Sequence, residues 1–405
     1  MIKRIVMCTN GVETLDYFSG QMADTFTAEG VKVFFHDLKN PSDSADKLKA
    51  FIRSGETAFL TFNFEGLEKE EGIYHPMEGY LWDRFDIPCY NIVADHPYYY
   101  HDKLISDERG ADLPRRYYHI SVDRNHESYM KRFYPEYQSA GFLPLAGAAL
   151  CEPTVLQTDT KRSDQILFTA NYTAPAFFEP YIHRIDEEYA TFYRGIIDDL
   201  IANPAQTVEE AAVRHCEREL GELPDAQLRT VMHHMLFIDL YIRNYWRGEV
   251  VKTLLAAGIP VETAGRGWER LECKNRRLLD VHPQTDTRTC LMMQRRAKVS
   301  LNVMPWFKDG AHDRVFHAIL NGAVSVTDAS RYLREELKAG MGLCYYSLKR
   351  LDELPGLVEG LLADACRRRD MVESGIAYVR EHHTWESRAR RLLRFIREDN
   401  GRYVL

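Results

Sequence analysis

Lys298 to Asp328 reads KVSLNVMPWFKDGAHDRVFHAILNGAVSVTD. Lys298-Val299-Ser300-Leu301-Asn302-Val303 is strand-like. The segment from Met304 to His312 holds Pro305 and Gly310 and reads as a loop. From Asp313 onward, Val315, Ala318, Ile319 and Gly322 recur at i, i+3, i+4 and i+7, the buried stripe of a helix. Asp313, Arg314, His317 and Asn321 fall on its other side, and Gly322 is the expected stop. Ala323-Val324-Ser325-Val326-Thr327 resumes as a strand. Strand, loop, helix and strand at this spacing form a βαβ unit, whose strands lie parallel with a right-handed crossover.

The loop entering this helix is the first place to look for chemistry. A helix N-terminus presents unpaired backbone N–H groups and a partial positive charge, which suits phosphate. Gly310 allows close approach to the backbone. Arg314 adds a planar cation fitted to diphosphate oxygens. The plainer reading is a capped surface helix with Arg314 in a salt bridge.

Outward from this unit the same rhythm recurs. Ile5-Val6-Met7, a helical pattern through Phe18, Met22 and Phe26, and Val31-Lys32-Val33-Phe34-Phe35 make another βαβ unit. Ala58–Phe62, Pro88–Val93 and His119–Val122 read as strands, with a helical run around Tyr80-Leu81-Trp82 and another from Asn125 to Tyr134. Phe142–Gly147 reads as the exit from a first domain, and Cys151–Ser163 as a linker. A second start follows at Gln165–Ala170. Residues 176–257 are helical for most of their length, with stops near Asn203-Pro204 and Leu223-Pro224. They are too long for one crossover, so a helical insertion is expected. Ile259–Ala264 returns to strand, and the last helix runs from about Trp385 to Glu398.

The expected class is α/β, with two Rossmann-like doubly wound domains facing a central cleft. The domains are 1–150, 151–385 with its insertion at 176–257, and a crossover helix at 386–405 that packs back across both.

Composition narrows the functions. The chain has 405 residues, 45% hydrophobic and 28% charged, with 23 Tyr, 19 Phe and 5 Trp. That mixture suits packed cores and not disorder. The formal net charge is −8, which argues against a nucleic-acid partner. Arg367–Arg369 and Arg388–Arg394 read as solvated helix faces, although weak peripheral membrane contact through Arg388, Arg390, Arg391 and Arg394 stays open. The eight cysteines show no C-x-x-C or zinc-ligand spacing, and are read as mostly buried small hydrophobes in a reducing cytoplasm. No metal site is expected: Asp198-Asp199 is not a metal pair, and His233-His234 lies mid-helix. No signal peptide or transmembrane stretch is expected.

Ser300–Pro305, Asp313–Ala318 and Gly322–Asp328, with Tyr345-Tyr346-Ser347-Leu348 and Asp352-Glu353-Leu354 beyond, resemble the C-terminal module of the CgeB-like (spore maturation protein) glycosyltransferases. These are related to group 1 glycosyltransferases of GT-B fold, and the resemblance covers residues 259 to 390 best. It implies a nucleotide-sugar donor in the C-terminal half, UDP- or GDP-linked, as a co-substrate with no further cofactor and no metal. The acceptor, whether protein, glycan or small molecule, stays open.

In group 1 relatives an E-x7-E pair contacts the donor sugar and the ribose. Here the pair falls on Asp309 and His317. His317 departs from the usual Glu, although an imidazole still hydrogen-bonds a hydroxyl. Asn302 closes the strand before this loop. The turn Gly265-Arg266-Gly267-Trp268 is implied to face the donor, or is a plain turn, and His282 to meet the base.

On the N-terminal side, Asp95 and His96 follow a strand and Pro97 stiffens the loop. His96 is the expected general base on an acceptor hydroxyl, oriented by Asp95, unless the two make a purely structural contact. Tyr98 of Tyr98-Tyr99-Tyr100 is a sugar-stacking candidate or a packed rim. Asn10 and Gly11, after the first strand, are expected to open toward the acceptor. Two rivals remain: an epimerase or hydrolase acting on nucleotide-sugars, and a non-catalytic binding scaffold, which His317 favours.

Overall fold

A computed structural model describes residues 2–105, 113–151, 161–304 and 307–398. Pro305 and Trp306 of the decisive loop, and 152–160 of the expected linker, lie outside the described residues. The chain divides into two compact units, Met1–Leu145 with Thr384–Leu405, and Ala146–His383.

The first unit is built on β1 (Arg4–Thr9), β2 (Lys32–Asp37), β3 (Thr57–Phe62), β6 (Cys89–Val93), β7 (Tyr117–Ser121) and β8 (Gln138–Phe142), with a small hairpin of β4 (Tyr74–His75) and β5 (Gly79–Tyr80). The six strands lie in the order β2-β1-β3-β6-β7-β8 and every pairing is parallel. β3 and β6 are buried at every position, as strands covered on both faces must be. The helix Glu13–Ala28 buries Leu15, Phe18, Met22 and Phe26, the spacing of one helical face. The terminal helix Trp385–Glu398 belongs to this unit. Trp385 stacks on Phe18 at 4.3 Å and meets Phe62 edge-on at 5.8 Å. Burying each such ring is worth about 1.5–3 kcal/mol.

The second unit carries β9 (Ser163–Thr169), β10 (Val261–Ala264), β11 (Leu279–His282), β12 (Ala297–Asn302), β13 (Val324–Thr327) and β14 (Leu343–Tyr345). Their order is β11-β10-β9-β12-β13-β14, again all parallel. Between β9 and β10 come the inserted helices Glu179–Ile182, Glu187–Ala202, Val208–Leu220, Asp225–His234 and Leu236–Ala256. A capping box closes the third of these, with Glu210 N–H on Thr207 Oγ1 and Thr207 N–H on Glu210 Oε2.

Several expectations move. The helix after β11 begins at Thr287, because Asp286 caps it through Thr289 N–H at 2.7 Å. His233-His234 sits at a helix end and not mid-helix. The arginine runs are not all solvated. Arg388 is 4% exposed and donates to Pro144 O at 2.7 Å, while the equally buried Arg368 donates to Leu361 O and Leu362 O. Of the cysteines, only Cys8, Cys89, Cys216 and Cys344 are buried; Cys366 is exposed. Among the described residues, no helix is long and apolar enough to cross a membrane.

Candidate functional site

In open α/β sheets ligands gather outside the carboxyl ends of the strands, where the strand order reverses. In the second unit that point lies between β9 and β12. It brings together Thr169–Asn171, Asn302–Met304 and, one strand further, Asp328.

The helix Asp313–Leu320 begins here, with His312 at its N-cap and no side-chain cap bond. Arg314 Nη1 donates to Thr169 O at 2.8 Å, tying the helix to the end of β9. Arg314 Nη2 lies 2.7 Å from His312 Nδ1. Burial, then Arg314, Arg247 and Arg243, hold His312 well below the usual imidazole range. The ring is therefore neutral, and its Nδ1 lone pair can accept from Arg314. Asn302 Oδ1 lies 3.0 Å from the same nitrogen, which cannot also donate to it while accepting. Asn302 is fixed at its other end, donating to Thr327 Oγ1 at 2.9 Å.

Arg243 and Arg247 come from the inserted helix Leu236–Ala256, four residues apart and so on one face. Arg247 Nη1 donates to Asn171 O at 2.7 Å. Arg243 lies 3.4 Å from Asp239 Oδ2. The charges of three arginines thus act on one ring, and Arg314 alone touches it. Arg314, half-buried, forms no ion pair among the described residues, so the salt bridge of the plainer reading is absent. Burial and the like charge of Arg243 lower its pKa, against the pull of Asp313.

Asp328 receives Met304 N–H at 2.7 Å. Burial pushes its carboxyl up to about 6, against the pull of Lys308, backbone N–H groups and Arg314.

Each member of the pair implied by the E-x7-E resemblance is held by a protein partner. Asp309, 1% exposed, is bound by Arg331 through Nε at 2.9 Å and through Nη2. His317 is 3% exposed, and its Nδ1 lies 3.3 Å from Asp313 Oδ2. Burial works to raise the Asp313 carboxyl, but the His317 bond and charge, with Arg314, bring it below its ordinary value. The helix has no solvated side. His317 and Asn321 are both buried, and Asn321 donates to Ala148 O and accepts Leu150 N–H, each at 3.0 Å. Gly310 is buried and its carbonyl accepts from Ser330 Oγ at 2.5 Å.

The Gly265-Arg266-Gly267 turn has a packing reason. A Cβ on Gly265 would sit 2.2 Å from Ala170 O, and one on Gly267 2.0 Å from Tyr172 O. The Arg266 amide donates to Asn171 Oδ1 at 2.9 Å, so the turn fixes the loop after β9. His282, at the end of β11, lies 3.2 Å from Glu262 Oε1.

In the first unit, Asp95 is half-buried and accepts from Asn63 Nδ2 at 3.1 Å and Tyr100 OH at 3.3 Å. His96 is 2% exposed. Its ring stacks on Tyr98 at 3.7 Å and meets His126 and Tyr129 edge-on, and its Nδ1 accepts Tyr98 N–H. The expected base and the expected rim tyrosine are thus core residues, and neither ring faces a solvent-borne hydroxyl.

Asn10 has left-handed backbone, φ 65°, and donates to Asp16 Oδ2 and Asp37 Oδ1, both at 2.9 Å. A Cβ on Gly11 would meet Glu65 Oε1 at 2.2 Å, and the same oxygen accepts Val12 N–H at 2.8 Å. The point where strand order reverses, between β1 and β3, therefore carries Asp16 and Glu65. Burial raises both carboxyls.

Residues 247–394 match the glycosyl transferase-like family model. No curated protein matches the chain. Among solved structures, the chain is similar to an alpha-glucosyltransferase in complex with UDP and a 13-mer DNA containing a HMU base. The TM-score is 0.58 at 10% identity, covering 97% of this chain and 98% of that one. It is similar also to an alpha-glucosyltransferase with UDP-glucose and DNA containing an abasic site, at TM-score 0.57 and 12% identity over 97% and 98% of the chains. A third is an alpha-glucosyltransferase in complex with UDP, at TM-score 0.55 and 12% identity over 98% and 100%. The two doubly wound units are thus those of the GT-B glycosyltransferase fold, and the glycosyl transferase-like segment spans Arg247, Arg314 and His317.

Proposed function

We propose that the chain is a glycosyltransferase that takes a sugar from a nucleotide-diphosphate donor, UDP- or GDP-linked, to an acceptor hydroxyl. Arg314, held at Thr169 O and His312 Nδ1, with Arg247 on the neighbouring Asn171 carbonyl, carries the reading. Guanidiniums gathered at one strand end are matched by a diphosphate, and fixed charges in a poorly hydrated site stabilise a leaving group without reorganising. The match over 247–394, and neighbours of the same fold solved with UDP or UDP-glucose, support it.

In the reaction the acceptor oxygen bonds to the anomeric carbon. The bond from that carbon to the diphosphate oxygen breaks, and its electron pair leaves with the diphosphate, facing the guanidiniums. The hydroxyl proton passes to a carboxylate. Asp95 is assigned this role in preference to His96, because Asp95 keeps exposed surface. Asn10 and Gly11 are assigned to the acceptor side with Glu65. Asn302 and His312 position Arg314. Arg266 and His282, half-exposed or exposed at strand ends, are assigned to the nucleotide.

A second reading, a non-catalytic nucleotide-sugar binder, draws on Asp309 and His317, each held by a protein partner where relatives use carboxylates for sugar and ribose.

A thermal-shift panel of UDP-, GDP-, ADP-, CMP- and dTDP-sugars tests binding. A ligand at 100 times its dissociation constant adds about 2.7 kcal/mol of stability. The expected outcome is a shift with one nucleotide class that Arg314→Ala removes. A shift that survives Arg314→Ala refutes the diphosphate assignment. Binding with no transfer to any glycan, protein or small-molecule acceptor favours the second reading.

A further inference from the structure

A cavity of about 400 Å³ in the first unit is lined by Glu29, Arg390, Leu393, Arg394 and Arg397. It lies far from the strand ends just described. The helix Glu13–Ala28 leaves the carboxyl end of β1 and runs back along the sheet, so Glu29 sits near the amino ends, where Lys32 pairs with Arg4.

The terminal helix that supplies the arginines is amphipathic. Ala389, Leu392, Phe395 and Ile396 are buried with Trp385, which anchors the helix against Glu13–Ala28. Arg390, Arg394 and Arg397 follow at i, i+4 and i+7, so they form one stripe on the exposed side.

Two of the three are already oriented. Arg390 donates to Glu29 Oε1 at 3.2 Å and pairs with Glu386 at 2.8 Å. Arg397 Nη2 donates to the Glu29 carbonyl at 3.4 Å, closing the end of the first helix. Arg394 lies between them, exposed, and has no hydrogen bond or ion pair among the described residues. The cavity therefore offers a guanidinium with no partner among the described residues, a second held beside it, a carboxylate, and an apolar floor at Leu393, 3% exposed.

We propose that this cavity is a binding site for a phosphorylated polyol, separate from the proposed sugar-transfer site. Guanidiniums bind phosphate oxygens through paired N–H groups. Arg394 and Arg397 take the phosphate. The Glu29 carboxylate accepts from a polyol hydroxyl, and Leu393 meets the carbon face. A volume of this size falls among small-molecule sites. The same headgroup chemistry occurs free, as a sugar or glycerol phosphate, and on phospholipids.

The test uses glycerol 3-phosphate by calorimetric titration, and vesicles of phosphatidylcholine and phosphatidylglycerol in equal parts by co-sedimentation. The full chain is compared with Arg394→Gln and Arg314→Ala. The expected result is binding of one or both probes, weakened about tenfold or more by Arg394→Gln and unchanged in Arg314→Ala. Binding of the free compound assigns a soluble effector, and binding of vesicles alone assigns a membrane headgroup. Absence of binding to both probes overturns the proposal, as does binding that Arg394→Gln leaves intact. Arg394 is exposed, so its variant keeps the fold, and matching melting temperatures check this.

Discussion

Arg314 Nη2 stands 2.7 Å from His312 Nδ1, a cation leaning on an imidazole that its surroundings keep uncharged. The same side chain reaches Thr169 O with its other terminal nitrogen. One planar group thus links the end of β9 to the helix N-cap, which an ammonium on a flexible stem cannot do. Arg314→Lys is expected to keep the charge and still weaken nucleotide-sugar binding by about 10- to 100-fold. Titration with the tightest donor of the panel reads this. Equal affinity in the lysine variant would show that charge alone, and not the fork, serves the site.

Asp328 supplies a pH signature. Its folded-state carboxyl titrates near 6 against an ordinary value of 3.8. Because the folded chain binds this proton more tightly than the unfolded one, the contribution is full below about pH 4 and disappears as pH rises through about 6. The total is about 3 kcal/mol at most, from a shift of about two units. Asp328→Asn keeps an acceptor for the Met304 amide and removes the titration. The stability of the wild type relative to this variant should fall between about pH 4 and pH 7 in urea melts; a constant difference refutes the assignment. His312 has the opposite sign. Its pKa is depressed, so its contribution is present above the ordinary histidine range and fades on acidification.

Gly267→Ala is expected to cost more than about 3 kcal/mol, because φ is +90° and the new methyl would lie 2.0 Å from the Tyr172 carbonyl. Denaturant midpoints measure the loss. An alanine variant as stable as the parent would mean that the loop after β9 runs elsewhere.

On the acceptor side the two neighbours separate by readout. Asp95→Asn should lower kcat by about 100-fold or more, with little change in melting temperature, as loss of a proton acceptor does. His96→Phe should leave most of kcat and act on stability, since the ring is a core group. The reverse pattern in steady-state kinetics would restore the histidine to the chemistry.

The fold was legible because β1, β3, β6, β12 and β13 are short apolar runs closed by Gly, Asn or Pro, and because the helix ahead of Gly322 repeats its apolar positions at helical spacing. Edge strands were harder. Gln138–Phe142 and Leu343–Tyr345 look like loop and tail without the pairing that makes them strands. Individual site residues were least legible. Nothing near Asp309 in the sequence announces Arg331, and nothing near His96 announces Tyr129. Those partners arrive through tertiary packing, and they decide whether a polar side chain meets ligand or protein. Arg243 and Arg247 left one trace, a four-residue spacing on a helix that composition presents as plain insertion.

The first unit is assembled from two stretches of chain separated by the whole of the second. Phe18 stacks on Trp385, which the chain supplies only after the second unit is made. During synthesis the sheet of the first unit must therefore wait, with one helix face uncovered, until the helix Trp385–Glu398 has been made. The later-made unit can close its own core first. Cutting the chain before residue 384 would not trim an accessory tail; it would strip a wall from the half translated earliest.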